Sequence, residues 1–407
     1  ERPKGEVKTD TGITKEPCPE AVNPKNGCIY LGALSDLTVG PFAALAVPIT
    51  DAQKAFWKRV NEDGGIGGKY DVDVTKYTRD NKYNPQEHVA KYQEIQPNIL
   101  ALAQTLGTPM TLAALPSYKK DKIVAAPASW WSGWEIESQI LESGTNYCFE
   151  SMNSIDYAAD ELKLKSYMTV HYPGDYGGDA AAGARIAGKK RGLEDKGDHV
   201  TAPNATAGSQ AAAIEAILKA KPDLVIVTTG PREMAEIVGG AAARGFTGKF
   251  FGTSPTWNKG LLATPAGPAI EKLYLGSAPW KPWGTDSRGH KAMREALGSV
   301  DPNDGYTSGW IWSYPLLQTL QNAFEAGDLT RAGVVKAAGE LKTVDYEDML
   351  PSSAGRFSGK PNETVFRDMI ITKPDKTQPT GVSVVEDFFA GPTAKGFKFS
   401  AACQAAS

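Results

Sequence analysis

Short apolar runs alternate with segments of helical periodicity along the first part of the chain. Runs with the length and apolar content of buried strands lie at 28–34, 72–77, 99–103 and 123–126. Segments with apolar residues at helical spacing lie between them at 51–61, 85–95 and 110–115. This alternation predicts a parallel sheet built from right-handed β–α–β units.

The same alternation begins again after residue 150. Predicted strands lie at 165–170, 224–227 and 249–251, and predicted helices lie at 177–191, 210–220 and 233–244. Two further helical segments, 312–326 and 329–341, follow without a third series of strands. We expect these helices to cover one of the lobes. The predicted fold class is therefore α/β, with two doubly wound parallel-sheet lobes joined by several chain crossings.

The domain boundaries follow from these two series. Residues 1–27 are rich in Lys, Glu, Pro and Thr and are predicted to form a polar, loosely held N-terminal arm. Lobe 1 is expected to comprise 28–150 plus about 278–357. Lobe 2 is expected to comprise 151–277 plus about 358–407.

The overall composition narrows the class of protein. The chain of 407 residues is 41% hydrophobic and 22% charged, with a formal net charge of −3. This charge excludes the basic surface of a nucleic-acid-binding protein and the polybasic signal for anionic lipid. No apolar run approaches the ~18 residues that span a bilayer. The first residues do not form a signal peptide, and because a mature or trimmed form would also lack one, this absence does not argue against export.

The four cysteines suggest disulfides in an oxidising compartment. Cys18 and Cys28 flank a loop with Pro and Gly that suits a short local bridge, and Cys148 and Cys403 would then form a long-range bridge. Three pairings of four cysteines exist, and four buried free thiols are the alternative. None of the cysteines forms a C-x-x-C pair, so a structural zinc site is not expected.

Signatures of catalysis are missing from the sequence. Residues 183–190 imitate a phosphate-binding loop, but Lys190 replaces the hydroxyl that would hold magnesium. The four histidines are scattered, and no G-x-S-x-G elbow occurs. We therefore expect no enzyme activity, no cofactor and no metal site.

A series of loop motifs resembles the branched-chain amino-acid-binding family of bacterial ABC importers, the type I periplasmic binding proteins. In the first lobe the series includes Gly32 to Pro41, the glycine-rich stretch 64–68 and Asn84-Pro85. In the second lobe it includes the stretch 172–177, Lys221-Pro222-Asp223 before a strand, and the stretch 230–246. The resemblance extends over about 28–345. It implies two lobes that close on a solute like a Venus flytrap, around a hinge of several strands.

The resemblance also implies where the solute binds. It places the solute beyond the carboxyl ends of strands in both lobes. Backbone amides of Gly107 and Thr108, with the Thr108 hydroxyl, would bind a carboxylate. The other residues of these strand ends that would line the cleft are Thr105, Ala128, Ser129, Trp130 and Tyr176. Thr108 and Tyr176 have ordinary structural alternatives, as a helix cap and as packing at a helix start.

Two departures from the family pattern affect the choice of solute. Amino-acid binders of the family place an acidic side chain after the strand predicted at 249–251, where this chain has Ser254. A neutral hydroxyl does not balance a buried ammonium. Asp175 and Glu233 are the alternative acidic partners, although nothing in the sequence assigns this role to either. Trp257 and the other tryptophans near the strand ends could stack on a flat solute or pack on a cation, and Arg232 would pair with an anionic solute. The alternatives are packing for the tryptophans and a solvated charge for Arg232.

We therefore expect an extracytoplasmic solute-binding protein that delivers a small carboxylate-bearing solute, amino-acid-like or aromatic, to an ABC-transporter permease. It is expected to be a monomer in the periplasm or outside the cell. Any membrane contact is expected only through a lipid anchor that this sequence does not include. The alternative is a ligand-sensing receptor or regulator domain on the same fold. A doubly wound enzyme is a third class, which the missing motifs disfavour.

Overall fold

The computed structural model describes residues 5–203, 208–357, 361–398 and 400–406. Parts of the predicted arm and of the predicted second segment of lobe 2 (1–4, 358–360, 399 and 407) lie outside these residues. The chain divides into two compact units. Unit 1 comprises Glu1–Ser129, Trp134–Ser143 and Asp286–Thr364, and unit 2 comprises Trp130–Gly133, Gly144–Thr285 and Val365–Ser407.

Unit 1 begins with a parallel sheet and its crossover helices. Its first strands are β1 (Lys8–Thr9), β2 (Ile13–Thr14), β3 (Gly27–Ser35), β4 (Tyr70–Asp80), β5 (Ala101–Leu106) and β6 (Ala125–Ala128). Its first helices are α1 (Ala43–Glu62), α2 (Pro85–Ile95) and α3 (Thr108–Asp121). β3 pairs in parallel with β4 and β5, and β5 pairs in parallel with β6. The short β2 pairs antiparallel with β3.

Unit 2 repeats this architecture. Its elements in chain order are α4 (Tyr147–Asp160), β7 (Ser166–His171), α5 (Asp175–Arg191), β8 (Glu194–Val200), α6 (Ala211–Ala220), β9 (Leu224–Thr228), α7 (Pro231–Ala243), β10 (Lys249–Gly252), α8 (Gly267–Leu273) and β11 (Tyr274–Ala278). Strand β9 is buried along its whole length. Val225 and Val227 pack into one apolar layer, and Leu224 and Ile226 pack into the layer on the other face. Helices therefore cover both faces of the sheet.

The rest of the chain completes both units. Unit 1 receives α9 (Arg288–Leu297), α10 (Asp304–Ile311), α11 (Ser313–Glu325), β12 (Asp328–Leu329), α12 (Arg331–Gly339) and α13 (Pro361–Thr364). Unit 2 receives β13 (Met369–Pro374), β14 (Val382–Phe389) and α14 (Pro392–Gly396). The sheet of unit 2 has the order β14-β13-β11-β10-β9-β7-β8, in which β13 and β14 are antiparallel additions. Among the described residues, no helix is long and apolar enough to span a membrane.

The N-terminal segment is held more firmly than its polar composition predicts. β1 pairs with β12, and β2 pairs with β3. The buried carboxylate of Asp71 accepts hydrogen bonds from the backbone N–H groups of Val22 and Asn23, at 3.0 and 2.8 Å. The described part of this segment is therefore integrated into unit 1.

Other boundaries also differ from the predicted ones. α4 lies in unit 2, although the sequence boundary placed its first residues in lobe 1. The helix predicted at 312–326 is α11, and a further helix that was not predicted, α10, precedes it and ends next to Trp312. The predicted short helix 110–115 is the longer α3, which continues through Pro116.

Two disulfides connect the four cysteines. Cys18 is bonded to Cys28, and Cys148 is bonded to Cys403. No cysteine is free. The first of the pairings considered for the sequence is therefore confirmed, and the alternative of four free thiols is wrong. The second bridge fixes the C-terminal residues to α4.

Removing the two disulfides separately should destabilise the protein unequally. The bridged residues are 10 positions apart in the first bridge and 255 apart in the second. The chain-entropy model gives about 3 kcal/mol for the shorter loop and about 5 kcal/mol for the longer one. The double variant Cys148→Ser/Cys403→Ser should therefore have a lower Tm than Cys18→Ser/Cys28→Ser. Thermal unfolding followed by circular dichroism measures this order, and the reverse order would contradict the argument.

Candidate functional site

The parallel strands of unit 1 end at one edge of its sheet, where Gly107 connects β5 to α3. Gly107 has a φ of +95°, which favours glycine. Its N–H donates to the carbonyl of Ala128 at 3.2 Å, and its carbonyl accepts from the N–H of Thr111 at 2.9 Å. The expected grip of a carboxylate by the Gly107 amide is therefore not supported, because sheet pairing uses that amide. The first-turn amides of α3 that remain are those of Thr108 and Met110, since Pro109 has no N–H.

Thr108 and Ser129 form a hydroxyl pair at this edge. Their Oγ atoms are 2.6 Å apart, and both side chains are buried. Ser129 Oγ also accepts a hydrogen bond from Trp134 Nε1 at 3.0 Å. The two hydroxyls, next to the first-turn amides of α3, form a group of donors that suits an anion.

Thr105, which the sequence placed among the solute-binding residues, lies deeper in unit 1. Its hydroxyl contacts Tyr118 Oη at 2.9 Å, Thr111 Oγ1 at 2.9 Å and His88 Nε2 at 3.2 Å. Burial lowers the pKa of His88 to about 3, so the imidazole is neutral. The Thr105 side chain therefore belongs to an internal polar network that fixes α2 and α3 on the sheet.

Phe42 and Tyr83 were not singled out in the sequence, yet Tyr83 lies beside Gly107 and contacts Phe42. Their rings meet edge to face with centroids 5.0 Å apart. A Cβ atom at Gly107 would lie 3.1 Å from the ring of Tyr83. Lys82 and Tyr83 both have positive φ, and such strain in residues other than glycine is concentrated at functional sites. The only sequence signal for this loop was its position after a strand, between Asp80 and Asn84-Pro85.

Two carboxylates hold the loops of this edge. Asp36 accepts from the backbone N–H groups of Gly40 and Phe42, at 3.0 and 2.9 Å. Asp80 accepts from Leu37 N–H at 3.0 Å and from the hydroxyl of Thr38. These hydrogen bonds lower the pKa of Asp80 in spite of its partial burial. The carboxylates therefore support the loop that carries Phe42.

In unit 2 a chain of aromatic rings lies near the carboxyl ends of the strands. Trp130 contacts Trp280 and Tyr147, with ring centroids 5.2 and 5.8 Å apart. Tyr147 contacts Tyr176 at 4.8 Å, and Tyr176 contacts Tyr172 at 5.9 Å. All five side chains are buried. The structure thus brings together Trp130 and Tyr176, which the sequence proposed, through Tyr147, which it did not.

Tyr176 connects two strand ends. Its hydroxyl donates to the carbonyl of Thr229 at 2.9 Å and lies 3.1 Å from Thr253 Oγ1. These residues follow β9 and β10. Burial raises the pKa of Tyr172, and the nearby carboxyl of Glu233 raises it further. Tyr172 is therefore a neutral hydrogen-bonding group.

The remaining predicted residues of unit 2 have different surroundings. Ser254 is half-buried in a 3₁₀ turn after β10. Trp257 stacks on Tyr274 with centroids 5.6 Å apart, and its Nε1 donates to the carbonyl of Thr380 at 3.0 Å. Arg232 is exposed in the first turn of α7. Trp257 therefore packs within unit 2, in line with the alternative role considered for the tryptophans.

Asp179 on α5 anchors the segment that carries Trp130. It accepts from the N–H and Oγ of Ser132, at 2.8 and 2.5 Å. Burial raises its pKa to about 7. Asp179 also lies within 4.8 Å of the sulfurs of Cys148 and Cys403, in a group that could ligate a metal. The disulfide between the two sulfurs removes the thiolates that a metal would need.

A family model described as periplasmic binding protein matches residues 29–379. The chain belongs to the periplasmic binding protein family. Among solved structures, a fatty acid ABC transporter substrate-binding protein from Thermomonospora curvata is 27% identical, with 96% of this chain and 97% of that chain covered and a TM-score of 0.85. A search of curated proteins finds no match.

More distant structures share the fold. A branched-chain amino acid ABC transporter protein from Thermus thermophilus with bound valine is 18% identical, covers 91% of this chain and 98% of its own, and has a TM-score of 0.77. A leucine-binding protein from Thermotoga maritima is 15% identical, with 89% and 99% covered and a TM-score of 0.71. The predicted fold of a type I periplasmic binding protein is thereby confirmed.

Family membership also establishes the general role. The chain is a substrate-binding protein of an ABC importer, which binds a small molecule, interacts with a permease and is not an enzyme. A periplasmic or extracellular location is consistent with this family and with the two disulfides.

Gly107→Ala should distort the edge of unit 1 more than a comparable change elsewhere. The new Cβ would lie 2.0 Å from Met110 Cε. The matched control is Gly245→Ala, because Gly245 has a φ of +91° and its Cβ would meet nothing within 4 Å. We expect Gly107→Ala to lower the free energy of unfolding by at least ~1 kcal/mol more than the control. Urea unfolding of both variants measures the difference, and equal losses would show that this edge tolerates the added methyl group.

Proposed function

We propose that the solute is a carboxylate with an apolar body and no ammonium group, such as a fatty acid or an aromatic acid. Ser129 donates to the Thr108 hydroxyl, and Thr108 donates to the carboxylate, together with the first-turn amides of α3. Phe42 and Tyr83 in unit 1, and Trp130 and the tyrosines of unit 2, contact the apolar body.

The observation that carries this proposal is the neutral end of β10. An ammonium that is removed from water needs an acidic partner, because an unpaired buried charge is costly. The residues there are Thr253, Ser254 and Pro255. The resemblance to amino-acid binders places the acidic partner at the position of Ser254. A relative that is 27% identical over nearly the whole chain is described as a fatty acid binder, which supports the same class of solute.

The other residues that the sequence placed in the site have different proposed roles. Ala128 contributes its backbone at the end of β6, and Gly107 contributes the turn before α3. Arg232 is exposed and is a candidate for a second contact with an anionic solute. The packed positions of Thr105 and Trp257 favour supporting roles for these two side chains.

We also propose that the protein acts as a monomer, attached to the outer face of the membrane only if a lipid anchor precedes this sequence. Light scattering coupled to size-exclusion chromatography measures the first point. Native mass spectrometry of the purified protein then identifies a co-purified solute.

Decanoate should bind more tightly than amino acids. Isothermal titration calorimetry at pH 7 compares decanoate and phenylpropionate with leucine and phenylalanine, which add only the ammonium. We expect each acid without an ammonium to bind at least ~10-fold more tightly than its amino-acid counterpart, which corresponds to about 1.4 kcal/mol. Decylamine is the control for apolar contact without a carboxylate. Tighter binding of leucine or phenylalanine would overturn the proposed solute class.

Thr108→Val should weaken decanoate binding, while Thr108→Ser should retain it. Valine has the shape of threonine but no hydroxyl, and a hydrogen bond to a charged group contributes about 1.5–3 kcal/mol. The expected loss in affinity for Thr108→Val is therefore ~10-fold or more by calorimetry. A variant with valine that binds as tightly as one with serine would exclude the Thr108 hydroxyl from the carboxylate site.

A further inference from the structure

Glu150 is a fully buried carboxyl group in the first turn of α4, and it has no role in the site described so far. Its Oε1 lies 3.2 Å from Ser277 Oγ. Its Oε2 is buried without a hydrogen-bond partner among the described residues. Within the described chain, no lysine or arginine is recorded in an ion pair with it. A carboxylate in this position would be an uncompensated buried charge.

The hydrogen bonds around Ser277 favour the protonated acid. Ser277 Oγ lies 3.2 Å from Glu150 Oε1 and 3.3 Å from the carbonyl of Gly252. A hydroxyl has one proton to donate, and a carbonyl can only accept. If Ser277 donates to Gly252, Glu150 must donate to Ser277, which requires its own proton. Burial acts in the same direction and raises the pKa of Glu150 to about 8, although Ser277 and the N–H of Ser254 oppose this shift.

The chain of hydrogen bonds ends at the turn that carries Ser254. Gly252 is the last residue of β10, and the turn spans Ser254–Thr256. Thr256 Oγ1 donates to the carbonyl of Thr253 at 2.7 Å, and Tyr176 Oη lies 3.1 Å from Thr253 Oγ1. The turn is thus held from the side of the aromatic residues and from the side of α4. On the side of α4, the support that runs from Glu150 through Ser277 to Gly252 depends on the proton of the Glu150 carboxyl.

We propose that Glu150 is a protonated positioning residue, which holds the turn after β10 in its solute-binding form through Ser277 and Gly252. Solute affinity therefore falls when the Glu150 carboxyl ionises. The neutral acid also leaves no negative charge behind Ser254 to attract an ammonium. This inference rests on the proposed function for its affinity readout, but the protonation of Glu150 can be tested without any solute.

Other titratable groups lie near Glu150 and must be separated from it. Tyr274, at the start of β11, interacts electrostatically with Glu150, and burial raises its own pKa. On α5, Asp179 has a pKa of about 7 beside Ser132 and Cys148. Arg191 at the end of α5 pairs with Asp160 at the far end of α4, and Lys395 on α14 is exposed. Asp179 is therefore the group whose titration overlaps with that of Glu150.

The affinity test compares wild type, Glu150→Gln and Asp179→Asn with decanoate as the probe, by calorimetry from pH 6 to pH 9. Decanoate stays ionised throughout, because a free carboxyl titrates near pH 4. We expect wild-type affinity to fall at least ~10-fold above pH 8, and Asp179→Asn to keep this fall. Glu150→Gln, which keeps a neutral donor, should bind equally well at every pH. A pH-independent wild type, or an equal fall in Glu150→Gln, would overturn the proposal.

Infrared spectroscopy of the protein without solute tests the proton itself. In the Asp179→Asn background, the C=O band of a protonated carboxyl should persist at pH 7, disappear with a midpoint near pH 8, and be absent when Glu150→Gln is added. Loss of all such absorption by pH 6 would overturn the assignment even if Glu150→Gln fails to fold. If the band behaves as expected but decanoate does not bind at any pH, the proposed solute class fails and the protonation of Glu150 stands.

Discussion

Few backbone amides at the carboxyl ends of the parallel strands are available to bind a solute, and this limits where the binding site can form. Most of them are consumed by pairing with the neighbouring strand, as the Gly107 amide is by Ala128. The amides that remain belong to first helical turns, such as that of α3, where the helix has no partner for them. A carboxylate is the natural ligand of such a turn. The hydroxyls of Thr108 and Ser129 extend this group of donors.

The same need to satisfy buried polar groups decides which side chains are left for a solute. Thr105 is buried among three hydrogen-bonding neighbours, and Trp257 is held by Thr380 and Tyr274. These residues stabilise the elements that carry the site. The aromatic chain from Trp280 to Tyr172 is different, because its members follow strand ends or begin helices at the edge of the sheet.

The cost of burying a charge is the second constraint on the site. Buried acids in unit 2 have raised pKa values because burial disfavours the ionised form. Asp179 accepts two hydrogen bonds from Ser132, whereas the neighbours of the Glu150 carboxyl are Ser277 and the N–H of Ser254. The residues directly after β10, Thr253 to Pro255, carry no acidic side chain, which disfavours a solute with an ammonium. The proposed lack of an ammonium on the solute and the proposed protonation of Glu150 therefore both follow from the cost of burying an unpaired charge.

The sequence by itself predicted the alternation of strands and helices in both units, because apolar periodicity reports which face of each element is buried. It did not predict β8, β11, β13 or β14. α2 has the predicted bounds, and the predicted disulfide pairing is the observed one. Only the tertiary structure decided that the segment before β3 pairs with distant strands, that Tyr83 lies beside Gly107, and that Glu150 contacts Ser277. Local sequence patterns do not predict these contacts, because hydrogen bonds and ring contacts join residues that are far apart in sequence.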